Sequence, residues 1–198
     1  MRVLLNGRKG KVGLVLGPGL EIGGHTLVDS LDDADAMVDF TRPDAVLGNV
    51  RAAIDAGVPS VVGTTGWDPQ DVSDAQVAVF YAPNFAIGAV LMMRFAAEAA
   101  KHMQGSAITE LHHPTKLDAP SGTAKLTAER MGGDVPINSI RLPGANAHQE
   151  VLFGSAGQLL TIRHDATSRE AYTAGVLLAL EKLPSLPPGL TVGLDALL

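Results

Sequence analysis

Side chains that can carry protons are concentrated in the segment Glu110–Ala124. Two adjacent histidines, His112 and His113, are followed by Lys116, and imidazole and ammonium groups commonly act as acids and bases in enzymes. A short strand is predicted to end at Pro114. Consecutive strand side chains point to opposite faces, so only a break in the strand at the proline would let both imidazole rings reach one cleft.

A helix is predicted to begin directly after these residues. Ser121 is a favourable N-cap for a helical run over 124–131. The backbone N–H groups of Ser121, Gly122 and Thr123 would point out of the helix start, where the helix dipole favours an anion, and Gly122 would allow close approach. The segment therefore predicts a site for an anionic small molecule, at which His and Lys side chains handle protons.

Structural explanations exist for each feature taken alone. A histidine is often a structural residue, and Ser-Gly-Thr before a helix is often only a cap. A zinc site would need three or four ligands, for which His148 and His164 would have to approach through folding, and the chain has no cysteine. We therefore predict no metal, and we base the functional hypothesis on the combination of groups.

Composition narrows the class of protein. The chain has 198 residues, of which 46% are hydrophobic, and this favours a folded globular protein with an ample core. Its net charge of −6 argues against a nucleic-acid surface. No apolar run reaches membrane-spanning length and no signal-peptide pattern is present, so we expect no membrane partner and a cytoplasmic protein.

A glycine-rich loop follows the first predicted strand, Arg2–Asn6. Its G-x-x-G-x-x-G spacing lies where a dinucleotide-binding fold places a pyrophosphate on a helix N-terminus. Three cations in the loop suit a ligand rich in phosphate, although a solvated basic turn would have the same composition. The predicted cofactor contacts here are Gly7, Arg8, Lys9, Gly10, Lys11 and Val12.

The segment after this loop departs from the usual Rossmann pattern. Gly17-Pro18-Gly19 is predicted to stop the first helix, because proline cannot continue a helix interior. The first helix and second strand are thus expected to be cut short or remodelled. Glu21 and Asp29 are both candidates for a contact to the adenosine ribose, and the sequence does not choose between them or between NADH and NADPH.

Alternating strands and helices continue beyond this segment and predict a parallel α/β sheet. The strands are expected over 35–40, 58–62 and 77–81, and the helices over 45–56 and 87–103. Strands alone then follow the Glu110–Ala124 segment and indicate a second, open mixed sheet, with imperfect alternation that suggests an oligomer contact. They are expected over 137–142, 148–153 and 158–164, before a last helix over 172–183.

The segment Glu110–Ala124 resembles the signature of the dihydrodipicolinate reductase family. Asp39–Pro43, Gly63–Thr65, Ala82–Phe85 and Ser168–Arg169 are similar to further segments of that family. The resemblance implies 4-hydroxy-tetrahydrodipicolinate reductase activity, the NAD(P)H-dependent reduction that gives tetrahydrodipicolinate in diaminopimelate and lysine biosynthesis. It also implies a homotetramer, a small dicarboxylate substrate, and NADH or NADPH as cofactor.

For the fold, the resemblance implies a Rossmann-like, parallel-sheet nucleotide-binding domain over 1–85 and 170–198. An α+β substrate-binding and oligomerisation domain with an open mixed sheet would occupy 86–169. Two alternatives stay open: a related aspartate-type dehydrogenase, and a non-catalytic nucleotide- or metabolite-binding protein that kept the fold while its Rossmann half eroded.

Residue roles follow from the same resemblance. His112 would be the proton donor with Lys116 assisting. The substrate carboxylates would bind His113, the helix start at Ser121, Gly122 and Thr123, and Arg169, which is suited to bidentate pairing with a carboxylate. The further cofactor contacts would be Gly63, Thr64, Thr65, Ala82, Pro83, Asn84 and Phe85.

Overall fold

The computed structural model describes residues 1–198, which divide into two compact units. The first unit comprises Met1–Ile87 and Arg169–Leu198, and the second comprises Gly88–Ser168. In chain order the elements are β1 (Arg2–Asn6), α1 (Gly13–Ile22), β2 (Thr26–Val28), β3 (Ala36–Asp39), α2 (Pro43–Asp55), β4 (Ser60–Val62), β5 (Ala78–Tyr81), α3 (Ile87–Ala100), β6 (Gly105–His112), α4 (Gly122–Arg130), β7 (Ile137–Arg141), β8 (Ala147–Ser155), β9 (Gln158–Ala166), α5 (Thr173–Lys182) and β10 (Gly189–Val192).

A six-stranded parallel sheet organises the first unit, in the order β10-β5-β4-β3-β1-β2. Its central strands are buried on both faces, which is why β3 and β4 consist almost entirely of apolar residues. Met37 packs with Val46 and Val50 of α2, and Val62 and Val79 extend the same core. The predicted parallel α/β sheet is confirmed.

The first helix does not stop at the Gly-Pro-Gly sequence, so that prediction was wrong. α1 continues to Ile22 with Pro18 in its interior. Pro18 is exposed and so is Leu14, whose carbonyl would otherwise accept the missing hydrogen bond and can be solvated by water. The neighbouring glycine has a packing role, because a Cβ at Gly19 would lie 2.5 Å from the side chain of Thr173 at the start of α5.

The C-terminal segment after α5, which is rich in proline and leucine, contains a strand that the sequence did not predict. It forms β10, which pairs with β5 at the edge of the parallel sheet. The strand begins at Gly189, which has a φ of 93°, and it is only four residues long, ending just before Gly193. So short an apolar run, bounded by proline and glycine, carried no strand signal of its own.

The second unit is built on a mixed four-stranded sheet in the order β7-β6-β8-β9, as predicted. β6 is parallel to β7 and antiparallel to β8, and β8 and β9 form a long antiparallel pair. Ile108, Val151 and Phe153 bury one face against Ala96 of α3 and Ala124 of α4. No helix in either unit has the length and apolar character needed to cross a membrane.

Candidate functional site

β6 carries the predicted site residue His112 on the same face as Glu110. Glu110 and His112 are two positions apart, so their side chains point the same way. His112 is the last residue of β6, and the chain leaves the strand at His113 and Pro114. The predicted break at the proline is thus present, and His113 lies in the loop that follows rather than on the opposite face of the strand.

Glu110 is fully buried, and its carboxylate contacts residues of β6, β7 and the start of α4. The guanidinium of Arg141 donates to both oxygens, at 3.0 Å each. Oε1 also accepts from the backbone N–H of Ser121 at 3.2 Å, and Oε2 contacts Nδ1 of His112. Burial alone would raise the pKa of Glu110, but hydrogen bonds that include those from Arg141 and His112 outweigh it, so the pKa lies below its ordinary value.

The contact to Glu110 assigns the tautomer of His112. An ionised carboxylate only accepts, so Nδ1 of the imidazole carries the proton and Nε2 keeps a lone pair. Burial lowers the pKa of His112; the Glu110 carboxylate raises it, and the charges of Lys116 and Arg141 lower it further. The net pKa is below the ordinary value, so His112 is neutral near pH 7 with Nε2 able to take up a proton.

His113 adopts the opposite tautomer. Its Nδ1 accepts from the backbone N–H of Thr115 at 3.3 Å and lies 3.0 Å from the Thr115 hydroxyl. Nε2 therefore carries the hydrogen and is a donor, and the side chain is exposed. The adjacent histidines thus offer one acceptor and one donor.

Lys116 lies in the loop between β6 and α4. Its Nζ is 2.8 Å from Oδ1 of Asp118, and this ammonium lowers the pKa of that carboxyl. Its charge also acts on His112, so the two groups lie within electrostatic range of each other. The loop itself is held by Arg141, which donates to the carbonyl oxygens of Lys116 at 3.3 Å and Asp118 at 2.6 Å.

α4 begins as predicted, with Ser121 as its N-cap. The Ser121 hydroxyl accepts from the N–H of Ala124 at 3.2 Å. The predicted use of the Ser121 N–H for an external anion is wrong, because that N–H already donates to Glu110. Gly122 is exposed, and a Cβ placed on it would meet nothing within 4 Å. Thr123 follows in the first turn, and its carbonyl accepts from Thr127 at 2.7 Å.

Two other histidines, His148 and His164, and Arg169 are on other elements of the chain. Nδ1 of His148 is 2.6 Å from Asp165 on the neighbouring strand β9. The ring of His164 packs beside Gly88 at the start of α3. Arg169 is exposed and opens the second segment of the first unit, whereas the His-Lys segment belongs to the second unit.

The glycine-rich loop connects β1 to α1. Gly7 has a φ of 83°, and a Cβ there would lie 2.2 Å from the carbonyl oxygen of Phe40. A Cβ on Gly13 would lie 2.1 Å from the carbonyl of Gly7, so both positions require glycine. Gly10 donates to the same carbonyl at 2.8 Å. Arg8, Lys9 and Lys11 are exposed beside the start of α1, which is an arrangement suited to phosphate.

Two further predicted cofactor segments follow β4 and β5, and they are partly internal. A Cβ on Gly63 would lie 2.2 Å from the ring of Phe40, so packing explains this glycine. The Thr64 hydroxyl donates to the buried carboxylate of Asp39 at 2.6 Å, whereas Thr65 is exposed.

In the segment after β5, Ala82 and Phe85 are core residues. Pro83 is exposed and Asn84 is half-buried, so these two offer the surface of this segment. The Asn84 side chain also accepts from the N–H of Ala86 at 2.9 Å. Contacts from this segment to a cofactor would therefore come mainly from two of its four predicted residues.

The two candidates for a ribose contact, Asp29 and Glu21, differ in their position in the fold. Asp29 directly follows β2 and is fully exposed, 3.9 Å from Arg8 of the glycine-rich loop. Glu21 lies within α1, close to its C-terminal end. Since a ribose-binding acid belongs at the carboxyl end of the second strand, Asp29 occupies that position and Glu21 does not.

Sequence reasoning gave no role to three buried or half-buried charged residues at these sites. The sequence contained a signal for Glu110. A carboxylate two residues before a histidine in a strand lies on the same face of the strand as that histidine. Asp39 had a similar signal, ending a strand before Thr41, which donates to it at 2.8 Å. Arg141 had none, because it meets Glu110 only through the pairing of β6 with β7.

Comparison with known proteins identifies one family over both units of the chain. The family model for the N-terminus of dihydrodipicolinate reductase matches residues 17–85, and the model for its C-terminus matches residues 88–198. A 4-hydroxy-tetrahydrodipicolinate reductase of Desulfitobacterium hafniense is 49% identical over 211 residues, covering 89% of this chain and 79% of the relative. One from Mycolicibacterium gilvum is 42% identical and covers 100% of this chain and 99% of its own.

Solved structures give the same result. A dipicolinate-bound dihydrodipicolinate reductase from Paenisporosarcina sp. TG-14 superposes with a TM-score of 0.86 at 30% identity, covering 100% of this chain and 99% of that one. Aspartate dehydrogenase from Thermotoga maritima reaches 0.50 at 14% identity, a likeness of fold alone. The chain belongs to the dihydrodipicolinate reductase family.

Proposed function

We propose that this protein is a 4-hydroxy-tetrahydrodipicolinate reductase, which uses a pyridine nucleotide to form tetrahydrodipicolinate for diaminopimelate and lysine biosynthesis. The observation that carries the proposal is the arrangement of Glu110–Ala124, where an exposed helix start, a neutral His112 with a free Nε2 and an ammonium group lie on consecutive elements. Similarity to proteins named for this activity supports it over most of the chain.

Three donors are proposed to bind the substrate carboxylates. The N–H of Gly122 stands in the first turn of α4, where the positive end of the helix dipole favours an anion. The Nε2–H of His113 adds a neutral donor. Arg169, at the start of the other segment of the chain, is the proposed bidentate partner for a carboxylate.

His112 supplies the proton, with Lys116 assisting. In the free protein the imidazole is neutral, because its pKa is lowered chiefly by burial. A bound dicarboxylate brings negative charge and opposes this shift, so Nε2 takes up a proton as the substrate arrives. The protonated imidazole then donates from Nε2 to the carbanion-like centre that forms as the double bond is reduced. The Glu110 carboxylate stabilises the imidazolium through Nδ1.

The residues of the glycine-rich loop fit a pyridine nucleotide. The cradle is formed by glycines that no other residue could replace, and exposed cations surround the start of α1. Arg8, Lys9 and Lys11 would hold the pyrophosphate. The N–H groups of Leu14, Val15 and Leu16 in the first turn of the helix already donate to the carbonyl oxygens of Gly10 and Val12. When bound, the nicotinamide supplies the hydride that the reduction needs. Thr65 and Pro83 are the exposed residues proposed to contact it.

The finer choice of cofactor is proposed to depend on Asp29. An exposed carboxylate at the end of β2 can accept from a ribose 2′-hydroxyl and repels a 2′-phosphate, so Asp29 favours NADH. Asp29→Asn should lower the ratio of kcat/KM for NADH to that for NADPH by about tenfold, since one repulsive contact of about 1.4 kcal/mol corresponds to that factor. Asp32→Asn is the matched control, an exposed acid that should leave the ratio unchanged.

A homotetramer that assembles through the mixed sheet is proposed for the second unit. β9 is a nine-residue edge strand, and Leu159 on it is 81% exposed. A long apolar edge of this kind needs a partner. Sedimentation velocity on the full chain should give four copies, and a monomer would refute this part of the proposal.

The activity is tested by absorbance at the nicotinamide band, with substrate generated enzymatically. Oxidation of NADH or NADPH that depends on the substrate is the expected result. No oxidation with either nucleotide, from a protein that still binds them in calorimetry, would instead support a nucleotide-binding protein without catalysis.

A further inference from the structure

A buried ion pair between Glu110 and Arg141 adjoins the proposed site, and Arg141 has no part in the chemistry assigned above. Glu110 has 0% of its surface exposed, and a buried carboxylate is costly unless its charge and lone pairs are satisfied. Here each oxygen has two partners: Arg141 and the Ser121 N–H at Oε1, and Arg141 and His112 at Oε2. One carboxylate thus contacts the proton-carrying histidine and the N-cap of α4.

Arg141 makes a similarly complete set of contacts. A guanidinium has five N–H groups. Two form the fork on Glu110, and the other three donate to the carbonyl oxygens of Lys116, Asp118 and Ile140 at 3.3, 2.6 and 2.9 Å. Arg141 stands opposite His112 in the register of β6 and β7. The pair therefore connects the strand carrying His112 to the loop carrying Lys116.

We infer that Glu110 and Arg141 are positioning residues: Glu110 holds His112 with Nδ1 protonated and Nε2 open, and Arg141 fixes the backbone of the loop that presents Lys116. The inference deepens the proposed function and rests on it. Neither side chain is assigned a contact with substrate, so both act through the residues that they hold.

The geometry distinguishes this role from simple stabilisation. Buried ion pairs are frequently replaceable by apolar side chains without loss of stability. A carboxylate, however, is what selects between imidazole tautomers, and only a planar fork can bind a carboxylate and two loop carbonyls at once. His113, the residue directly after His112, has no carboxylate partner and adopts the other tautomer.

The first test is made on the wild-type protein, and variants serve only to assign its signals. In the full chain labelled with ¹⁵N at histidine, and at a pH where the imidazoles are neutral, His112 should show a protonated Nδ1 and His113 a protonated Nε2. His112→Ala and His113→Ala assign the signals. A protonated Nε2 on His112 in the wild-type protein would overturn the inference, whether or not the protein is an active reductase.

The second test separates positioning from folding. Glu110→Gln keeps the shape of the side chain but can donate to Nδ1, so it should mix the tautomers of His112 and leave those of His113 unchanged. We expect kcat to fall by roughly 10–10², and the descending limb of the rate–pH profile to move to lower pH, because Glu110 raises the pKa of His112. In a His112→Ala background the same change should lower kcat no further. If Glu110→Gln lowers kcat equally in both backgrounds and leaves the rate–pH profile as in the wild-type protein, Glu110 has a structural role only.

Arg141→Lys tests the other half of the inference. The charge is kept but the fork is lost, so kcat should fall about tenfold in the wild-type background and not at all beside Lys116→Ala. Arg163→Lys is the matched control, since Arg163 also binds a carboxylate through its guanidinium, on the exposed strand β9. An equal loss of kcat in the control variant, or a loss that persists without Lys116, would refute the role of Arg141. If the wild-type chain oxidises no nucleotide, the proposed function fails, and the histidine spectrum still decides the role of Glu110.

Discussion

The two proposed binding regions are built in opposite ways. In Glu110–Ala124 side chains do the positioning, and a buried carboxylate and a guanidinium use every donor and acceptor they have. In the loop Gly7–Val12 the backbone does the positioning, through glycines packed against carbonyl groups, and the charged side chains are exposed. The difference fits the two tasks, since proton transfer needs fixed atoms, whereas binding phosphate needs backbone N–H groups and a positive field.

The largest effect is expected from removing the side chains that are proposed to carry protons. Lys116→Ala and His112→Ala should each lower kcat by roughly 10²–10⁴, the usual contribution of a positioned acid. Both side chains are only partly buried, so the fold should survive, which circular dichroism would check. Turnover near the wild-type value in both purified variants would remove the assignment of the site.

Changing the backbone of the cofactor loop should affect stability instead. Gly7→Ala places a Cβ 2.2 Å from a carbonyl oxygen at a φ of 83°. We expect a loss of about 2–5 kcal/mol in the free energy of unfolding, from the unfavourable φ and the clash together. Trp67 is the chain's single tryptophan and lies in the same unit, so its fluorescence during urea denaturation reports the change.

The matched control for that change is Gly24→Ala. Gly24 has a φ of 84°, but a Cβ there would meet nothing within 4 Å. It should lose only the conformational part, about 1–2 kcal/mol. Equal losses at the two positions would show that close packing of the loop does not hold it in place.

A bulky side chain at the start of α4 should affect binding without affecting folding. Gly122→Val has open space for its side chain but would obstruct the N–H proposed to bind a carboxylate. Loss of one charge-assisted hydrogen bond, about 1.5–3 kcal/mol, should weaken dicarboxylate binding by roughly 10–10² and leave nucleotide binding unchanged. Calorimetry with each ligand separately measures both, and Gly105→Val, in similarly open space on β6, is the control.

The smallest effect expected is a change in bound protons. His112 is neutral in the free protein because its pKa is lowered, mainly by burial. A dicarboxylate raises that pKa, so binding should take up protons, with a maximum of about one per chain at a pH between the free and bound values. Calorimetry of dipicolinate binding in two buffers of different ionisation enthalpy gives this number. Release of protons would contradict the sign, and His112→Ala should abolish the uptake.

Most of the fold could be predicted from local pattern, and the exceptions have physical causes. Alternating strands and helices identified the parallel sheet, and a run of strands separated by turns identified the mixed one. The continuation of α1 through Pro18 is accompanied by the exposed position of Leu14 and by packing of Gly19 against Thr173 of α5, and the contact with α5 lies outside any local sequence window. β10 depends on pairing with the distant β5.

The candidate site was predictable to the same degree. The strand break at Pro114 and the cap at Ser121 follow from residue type and are present. The use of the Ser121 N–H by Glu110 joins residues 11 positions apart. The contact of Arg141 with Glu110 joins residues 31 positions apart and depends on the pairing of β6 with β7. Sequence reasoning therefore identified the groups that are proposed to do the chemistry and missed the groups that are proposed to hold them.

The central claim is that two imidazoles, an ammonium group and the start of α4 bind one dicarboxylate. Titration of the ¹⁵N-labelled full chain with dipicolinate, followed by NMR, tests it most directly. Shifts at His112 Nε2, His113 Nε2, Lys116 Nζ and the Gly122 amide should follow a single binding curve. Shifts confined to other residues, or different affinities at these four groups, would contradict the account.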